Sequence, residues 1–135
     1  MRRLIAIGIL LAGSAVVLPS AVPAAPLDGS APMLCALSSV VECGRKGDCE
    51  RSLSEEAGIP AFIRVNVAQR LLSSLDGART SPIVNVQRSN GQLMFQGMQN
   101  ERVWGAVIDE ESGRMSATAV EADGAFVLTG TCIAL

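Results

Sequence analysis

Turn-forming dipeptides divide most of this 135-residue chain at nearly regular intervals. Each pairs a polar residue with glycine, which adopts a positive φ at little steric cost. When the polar break at residues 98–101 is counted as a turn, a turn recurs about every eleven residues from position 90 onward. This spacing predicts consecutive short antiparallel strands, as in a β-sandwich or a β-barrel. The dipeptides are Asp76-Gly77, Asn90-Gly91, Ser112-Gly113 and Asp123-Gly124.

The segments between these turns have the composition and the alternation of strands. They are rich in valine, isoleucine, threonine and phenylalanine, which fit a pleated surface. Apolar residues alternate with polar ones, so that Trp104, Ala106 and Ile108 share one face of their segment. The predicted strands after Pro60 are 62–67, 70–75, 82–88, 92–97, 102–109, 114–120 and 125–132.

Residues 34–43 are ambiguous between helix and strand, and we predict a strand. As a helix, their apolar residues do not hold one stripe; as a strand, Cys35, Leu37, Val41 and Cys43 share one face. Together with a hairpin between Cys43 and Cys49, the strands predict an all-β fold in an antiparallel up-and-down meander. We expect it to form a small closed or partly open barrel of about eight strands, because closure removes exposed edges. The interior of such a barrel is either filled or able to hold one small ligand.

Four cysteines indicate two disulfides. Seven, five and eighty-two residues separate Cys35, Cys43, Cys49 and Cys132 in order. Zinc sites usually have cysteines two to four residues apart, and a redox motif has two intervening residues, so neither spacing fits. Three pairings can be drawn. We favour Cys43–Cys49, which closes a tight hairpin, and Cys35–Cys132, which joins the first strand to the last and closes the barrel.

The N-terminus is typical of an exported protein. Arg2 and Arg3 precede an uncharged apolar run, and small residues lead to a cleavage site after Ala24. A membrane anchor is the alternative, but it needs about 20 apolar residues, more than this run supplies. We therefore predict a signal peptide at 1–24, a flexible segment at 25–33, a single β domain at 34–135, and a periplasmic or extracellular location.

Composition excludes several functions. The chain has no histidine or tyrosine, so a Ser-His-Asp or Cys-His site and a histidine-ligated zinc site are ruled out. Without its leader it carries 9 basic against 13 acidic residues and has no basic cluster, which argues against nucleic-acid binding. We expect no enzyme activity, no cofactor, no metal and no membrane span after cleavage.

Several motifs occur in a fixed order along the chain. They are C-x7-C-x5-C from Cys35, P-x-F-x-R-V from Pro60, G-x-L-x-x-Q-G from Gly91, W-x-x-x-I from Trp104, G-x-M-x-x-T from Gly113 and F-x-x-x-G-x-C from Phe126. In this order they resemble a family of small exported proteobacterial proteins of unknown function. The resemblance covers nearly all of the predicted mature chain. It implies an exported β protein and carries no activity.

Few side chains are candidates for binding. Trp104, Phe95 and Phe126 are candidates for lining a ligand cavity, and the alternative for each is a place in the core. Four arginines on separate predicted strands would bind an acid or a phosphate if they shared one face, and would otherwise form surface pairs with glutamates. They are Arg64, Arg88, Arg102 and Arg114.

Two functions remain open. The first is a carrier that binds a small apolar or acidic compound inside the barrel, and it requires a cavity of several hundred cubic ångströms. The second is an envelope accessory or inhibitor-type module that binds a protein through its loops and the Cys43–Cys49 hairpin. It requires a filled core.

Overall fold

The computed structural model describes residues 23–135. The predicted signal peptide lies almost entirely outside the described residues, and its cleavage stays a prediction.

Nine β-strands and no helix are present in residues 23–135. The strands follow the predicted segments closely, because a polar turn interrupts the alternation after most of them, as Asn90-Gly91 does between β5 and β6. They are β1 (Met33–Gly44), β2 (Cys49–Ser52), β3 (Phe62–Asn66), β4 (Leu71–Ser74), β5 (Thr80–Ser89), β6 (Gln92–Gln99), β7 (Arg102–Asp109), β8 (Arg114–Glu121) and β9 (Gly124–Ala134).

Eight of these strands close an antiparallel barrel. From β3 to β9 each strand pairs with the next one in the chain, and β9 returns to pair with β1 over the range from Met33↔Ala134 to Gly44↔Gly124. The other edge of β1 is shared, because its first residues pair with β3 and Val40 to Cys43 pair with β2. β2 is therefore an extra strand outside the closed ring. The predicted up-and-down barrel is confirmed.

Both predicted disulfides are present. Cys35 lies directly opposite Cys132 in the β1–β9 pair, and Cys43 lies opposite Cys49 in the β1–β2 pair. Opposed residues in an antiparallel pair have neighbouring side chains, so strand pairing itself brings each pair of sulfurs together. Disulfides form and persist in oxidising surroundings, which indicates a location outside the cytoplasm.

The barrel interior follows the alternation of the strands, with one exception. Leu93 and Ile108 are fully buried, and the inward core residues of β9 are at most 7% exposed. In β1 the pairing shifts between Leu37 and Ser39, and this bulge reverses the alternation. As a result Val40 points into the core, so the prediction that Val41 and Cys43 share a face with Cys35 is wrong.

Residues 27–33 lie against the barrel end at which β7 turns into β8. Leu27 packs on the core there, and Met33, the first residue of β1, is fully buried. Arg88 donates two hydrogen bonds to Glu110, of 2.7 and 2.8 Å, and lies 3.8 Å from Asp28. These contacts cover one end of the barrel, so a site open to solvent is expected at the other end.

Candidate functional site

A cavity of about 670 Å³ lies inside the barrel and extends to the end opposite Leu27. It lies between the two groups of buried core residues, one around Leu93 and one around Phe126. Gly58, Ile59 and Pro60 also line the cavity, and at the barrel end it is bordered by the β4–β5 and β6–β7 turns. We call this border the cavity mouth; its residues are Arg79, Thr80, Gln99, Asn100 and Arg102.

The inner wall of the cavity is mostly apolar. Ile63, Leu72 and Met115 line it from three different strands. Val65 and Phe95, which line it farther from the mouth, are only 1% and 3% exposed, so most of the accessible space lies nearer the mouth. A small molecule would therefore occupy the outer half of the barrel, between the mouth and these side chains.

Trp104 forms one side of the cavity. Its ring covers Gly97, its partner on β6, where a Cβ atom would lie 2.5 Å from the indole. Its Nε1 donates a 2.8 Å hydrogen bond to the buried Ser81 hydroxyl, and Phe95 meets it edge to face with centroids 6.2 Å apart. These contacts hold the indole in one orientation, half-buried and facing the cavity.

The three aromatic candidates do not share one role. Trp104 and Phe95 both line the cavity. Phe126 is not among the lining residues; it is 5% exposed and packs with Val40 and Leu128 in the core. Its ring instead carries the guanidinium of Arg102, whose Cζ lies 4.9 Å from the ring centroid.

Arg102 is placed at the mouth by a tight turn. Gln99 and Arg102 are the last pair of β6 and β7, and only Asn100 and Glu101 connect them. Both connecting residues have positive φ, 51° and 64°, as a type I′ turn requires. Arg102 donates from Nε and Nη2 to Glu121 on β8, at 3.2 and 2.9 Å. It therefore lies between the core and the solvent on the inward face of β7.

Arg79 reaches the mouth from the β4–β5 turn. The turn is closed by a 2.9 Å hydrogen bond from the Ser74 amide to the Arg79 carbonyl, and Asp76 accepts one from the Ala78 amide at 3.0 Å. The Ser74 hydroxyl also donates to Asp76 and is the main reason that the pKa of this carboxyl lies below its usual value. The Arg79 guanidinium donates to the Gly58 carbonyl.

The proposed set of four arginines on one face is not present. Arg102 lies at the mouth, Arg88 lies at the covered end with Glu110, and Arg64 and Arg114 are exposed on the outer face. Arg79 lies outside the predicted strands, so it was not among the candidate arginines. Arg79 directly precedes β5, and the polar break at 98–101 ends β6, the strand that pairs with β5. This position in the sequence could have indicated that Arg79 lies at the same barrel end as that break.

The outer surface has an apolar row near the mouth. Met98, Val103 and Val120 occupy paired positions on neighbouring strands and are 61%, 54% and 50% exposed. The same row continues through Ala125 to the disulfide at Cys43. The outer edge of β2 beside it has no strand partner within residues 23–135.

The described residues offer neither a metal-binding cluster nor a membrane-spanning helix, and comparison with known proteins finds no match. Residues 23–135 contain no group of three histidine, cysteine, aspartate or glutamate residues that could hold a metal ion. In the same range no helix is long and apolar enough to cross a membrane. Comparison with protein-family models, curated proteins and solved structures finds no match for this chain.

Proposed function

We propose that this protein binds a small, mainly apolar molecule inside its barrel, as a carrier in the periplasm or outside the cell. The observation that carries the proposal is the cavity of about 670 Å³, which falls within the roughly 300–1,000 Å³ usual for small-molecule sites. Its wall offers a preformed apolar surface with a few polar groups, the combination that such sites have.

The lining supports binding rather than catalysis. Hydroxyls are present, Ser81 among them, but no aspartate, glutamate or histidine belongs to the residues that line the cavity. A hydroxyl nucleophile needs an adjacent base to become reactive. The Ser81 oxygen instead accepts the Trp104 hydrogen bond and so orients the wall.

The export part of the proposal rests on two supports. The disulfides favour an oxidising compartment, and the N-terminal sequence has the layout of a signal peptide. Edman sequencing of the protein purified from its producing cell tests it, with Ala25 expected as the first residue. A sequence that starts at Met1 would contradict cleavage.

Binding is tested with the neutral fluorophore N-phenylnaphthylamine. We expect a saturable fluorescence increase with one molecule bound per chain, together with a change in the emission of Trp104, the single tryptophan. Absence of saturable binding by this probe and by decanol, a neutral aliphatic alcohol, would overturn the proposal.

Two matched leucine variants locate the bound probe. Ala117 is half-buried and lines the cavity, so Ala117→Leu adds three carbon atoms to its interior. Ser116 is the neighbouring exposed position on β8, so Ser116→Leu adds the same side chain outside. We expect Ala117→Leu to abolish binding and Ser116→Leu to retain it. Equal binding by both variants would place the probe elsewhere.

A second candidate function is recognition of a protein partner. It is favoured by the apolar row at Met98, Val103 and Val120 and by the free edge of β2, since an exposed edge can accept another strand. Native mass spectrometry of the purified protein separates the two candidates. A retained small molecule supports the carrier, and a stoichiometric protein partner supports the module.

A further inference from the structure

The residues that line the cavity carry charge of only one sign. Arg79 and Arg102 are the two ionisable residues among them, and both lie at the mouth. A bound molecule would therefore meet two guanidinium groups as it enters and apolar side chains beyond them. An arginine presents a planar set of N–H donors that matches the oxygens of an acid.

Arg102 is fixed in place and keeps donor capacity. Its guanidinium lies over the Phe126 ring, and its Nε and Nη2 donate to one oxygen of Glu121. Its Nη1 makes no hydrogen bond within residues 23–135. The Arg102 and Glu121 side chains are 34% and 39% exposed, so solvent screens this pair and a ligand can compete for it.

The spacing along β7 connects the charged mouth to the apolar wall. Arg102, Trp104 and Ala106 are alternate residues on the inward face, so about 7 Å separates one from the next. An acid group beside Arg102 would place the following carbon atoms against the indole and direct the remainder toward Ala106. The buried Phe95 ring, which lies opposite Ala106 on β6, limits how far the body extends inward.

From this arrangement we propose that the ligand is an amphipathic acid whose carboxylate binds Arg79 and Arg102 at the mouth while its apolar body lies against Trp104. The proposal rests on the proposed function, because it requires that the cavity bind a small molecule. It adds the chemical class of the ligand and the orientation in which the ligand enters.

The test compares decanoate with decanol, which have the same chain length and differ in charge. Binding of each to the intact protein is followed by Trp104 emission and by displacement of N-phenylnaphthylamine. We expect decanoate to bind about tenfold more tightly or better, the gain usual for charge-assisted hydrogen bonds. Equal affinities would overturn this inference and leave the carrier function standing, whereas no binding of decanol, decanoate or the neutral fluorophore would overturn both.

Arginine variants test the assignment to residues. We expect Arg79→Gln and Arg102→Gln each to weaken decanoate binding about tenfold and to leave decanol binding unchanged. Unchanged decanol binding also shows that the barrel remains folded. Arg114→Gln, at an exposed outer position, is the matched control and should bind both compounds as the parent does. Decanoate binding that is insensitive to Arg79→Gln and Arg102→Gln would overturn the proposal.

Glu121 supplies a test with the opposite sign. It accepts two hydrogen bonds from Arg102, so Glu121→Gln removes a competing carboxylate. We expect this variant to bind decanoate more tightly than the parent and decanol equally. Weaker decanoate binding by Glu121→Gln would contradict the placement of the acid at Arg102.

Discussion

Removal of the Cys35–Cys132 disulfide should cost more stability than removal of Cys43–Cys49. The first closes a loop with a sequence separation of 97 residues and the second a loop of 6. On the chain-entropy model these loops correspond to about 4.7 and about 2.2 kcal/mol at 25 °C. The difference is large against a net stability of about 5–15 kcal/mol for a domain of this size.

Burial adds to the difference in the same direction. Cys35 and Cys132 are 0% and 2% exposed, so replacing them with alanine also removes core contacts. Cys49, at the outer end of the hairpin, is exposed and contributes little to packing. Alanine is preferred to serine at the buried positions, because a buried hydroxyl without a partner adds its own cost.

The assay is urea unfolding of three proteins: the parent, Cys35→Ala/Cys132→Ala and Cys43→Ala/Cys49→Ala. We expect free energies of unfolding lower than the parent's by about 5 and about 2 kcal/mol respectively. The first variant can still fold where the parent's stability exceeds this loss, since eleven residue pairs hold β1 to β9.

The parent with both disulfides reduced is the control. Its free energy of unfolding should be lower than that of the oxidised parent by about the sum of the two losses. Equal losses in the two variants, or a larger loss in Cys43→Ala/Cys49→Ala, would refute the reasoning that loop length and burial set these contributions.

Three further predictions concern single side chains. Gly97→Ala should lower the free energy of unfolding in urea by at least about 1–3 kcal/mol, because the added Cβ would overlap both the Pro82 carbonyl oxygen and the Trp104 ring; an unchanged value would contradict this close packing. Trp104→Phe should lower the free energy of unfolding by at least about 1 kcal/mol, because the hydrogen bond from Trp104 to Ser81 is lost. A stabilised variant would contradict a stabilising role for this hydrogen bond. Arg88 holds the pKa of Glu110 below its ordinary 4.5, because its guanidinium hydrogen-bonds the ionised carboxylate. The parent should therefore be more stable than Glu110→Gln, fully so above pH 4.5, and this difference in the free energy of unfolding should disappear as the pH falls through the lowered pKa. An advantage that persists unchanged in acid would contradict this pairing.

Local patterns were sufficient to predict the strands, because turn dipeptides and two-residue alternation act over a few neighbouring residues. The turn at Asn90-Gly91 and the alternation of Trp104, Ala106 and Ile108 appear as expected. The pattern failed in β1, where the bulge between Leu37 and Ser39 reverses the faces. Serine at two consecutive positions does not distinguish a bulge from a regular strand.

The cavity and its charges could not be predicted from sequence, because they depend on how eight strands come together. Residues from distant strands, such as Leu72 and Met115, line one space only after the register between all neighbouring pairs is set. The same holds for Arg79 and Arg102, which lie at the same barrel end although a turn carries the first and a strand carries the second.

The sequence by itself determined an all-β chain with four cysteines in two pairs, because turn chemistry, alternation and cysteine spacing are properties of short segments. Only the tertiary structure decided that one barrel end is covered by Leu27 while the other leaves an apolar cavity beneath two arginines. The physical reason is that the space inside a barrel depends on its register and on the volume of every inward side chain, and no local segment contains that sum.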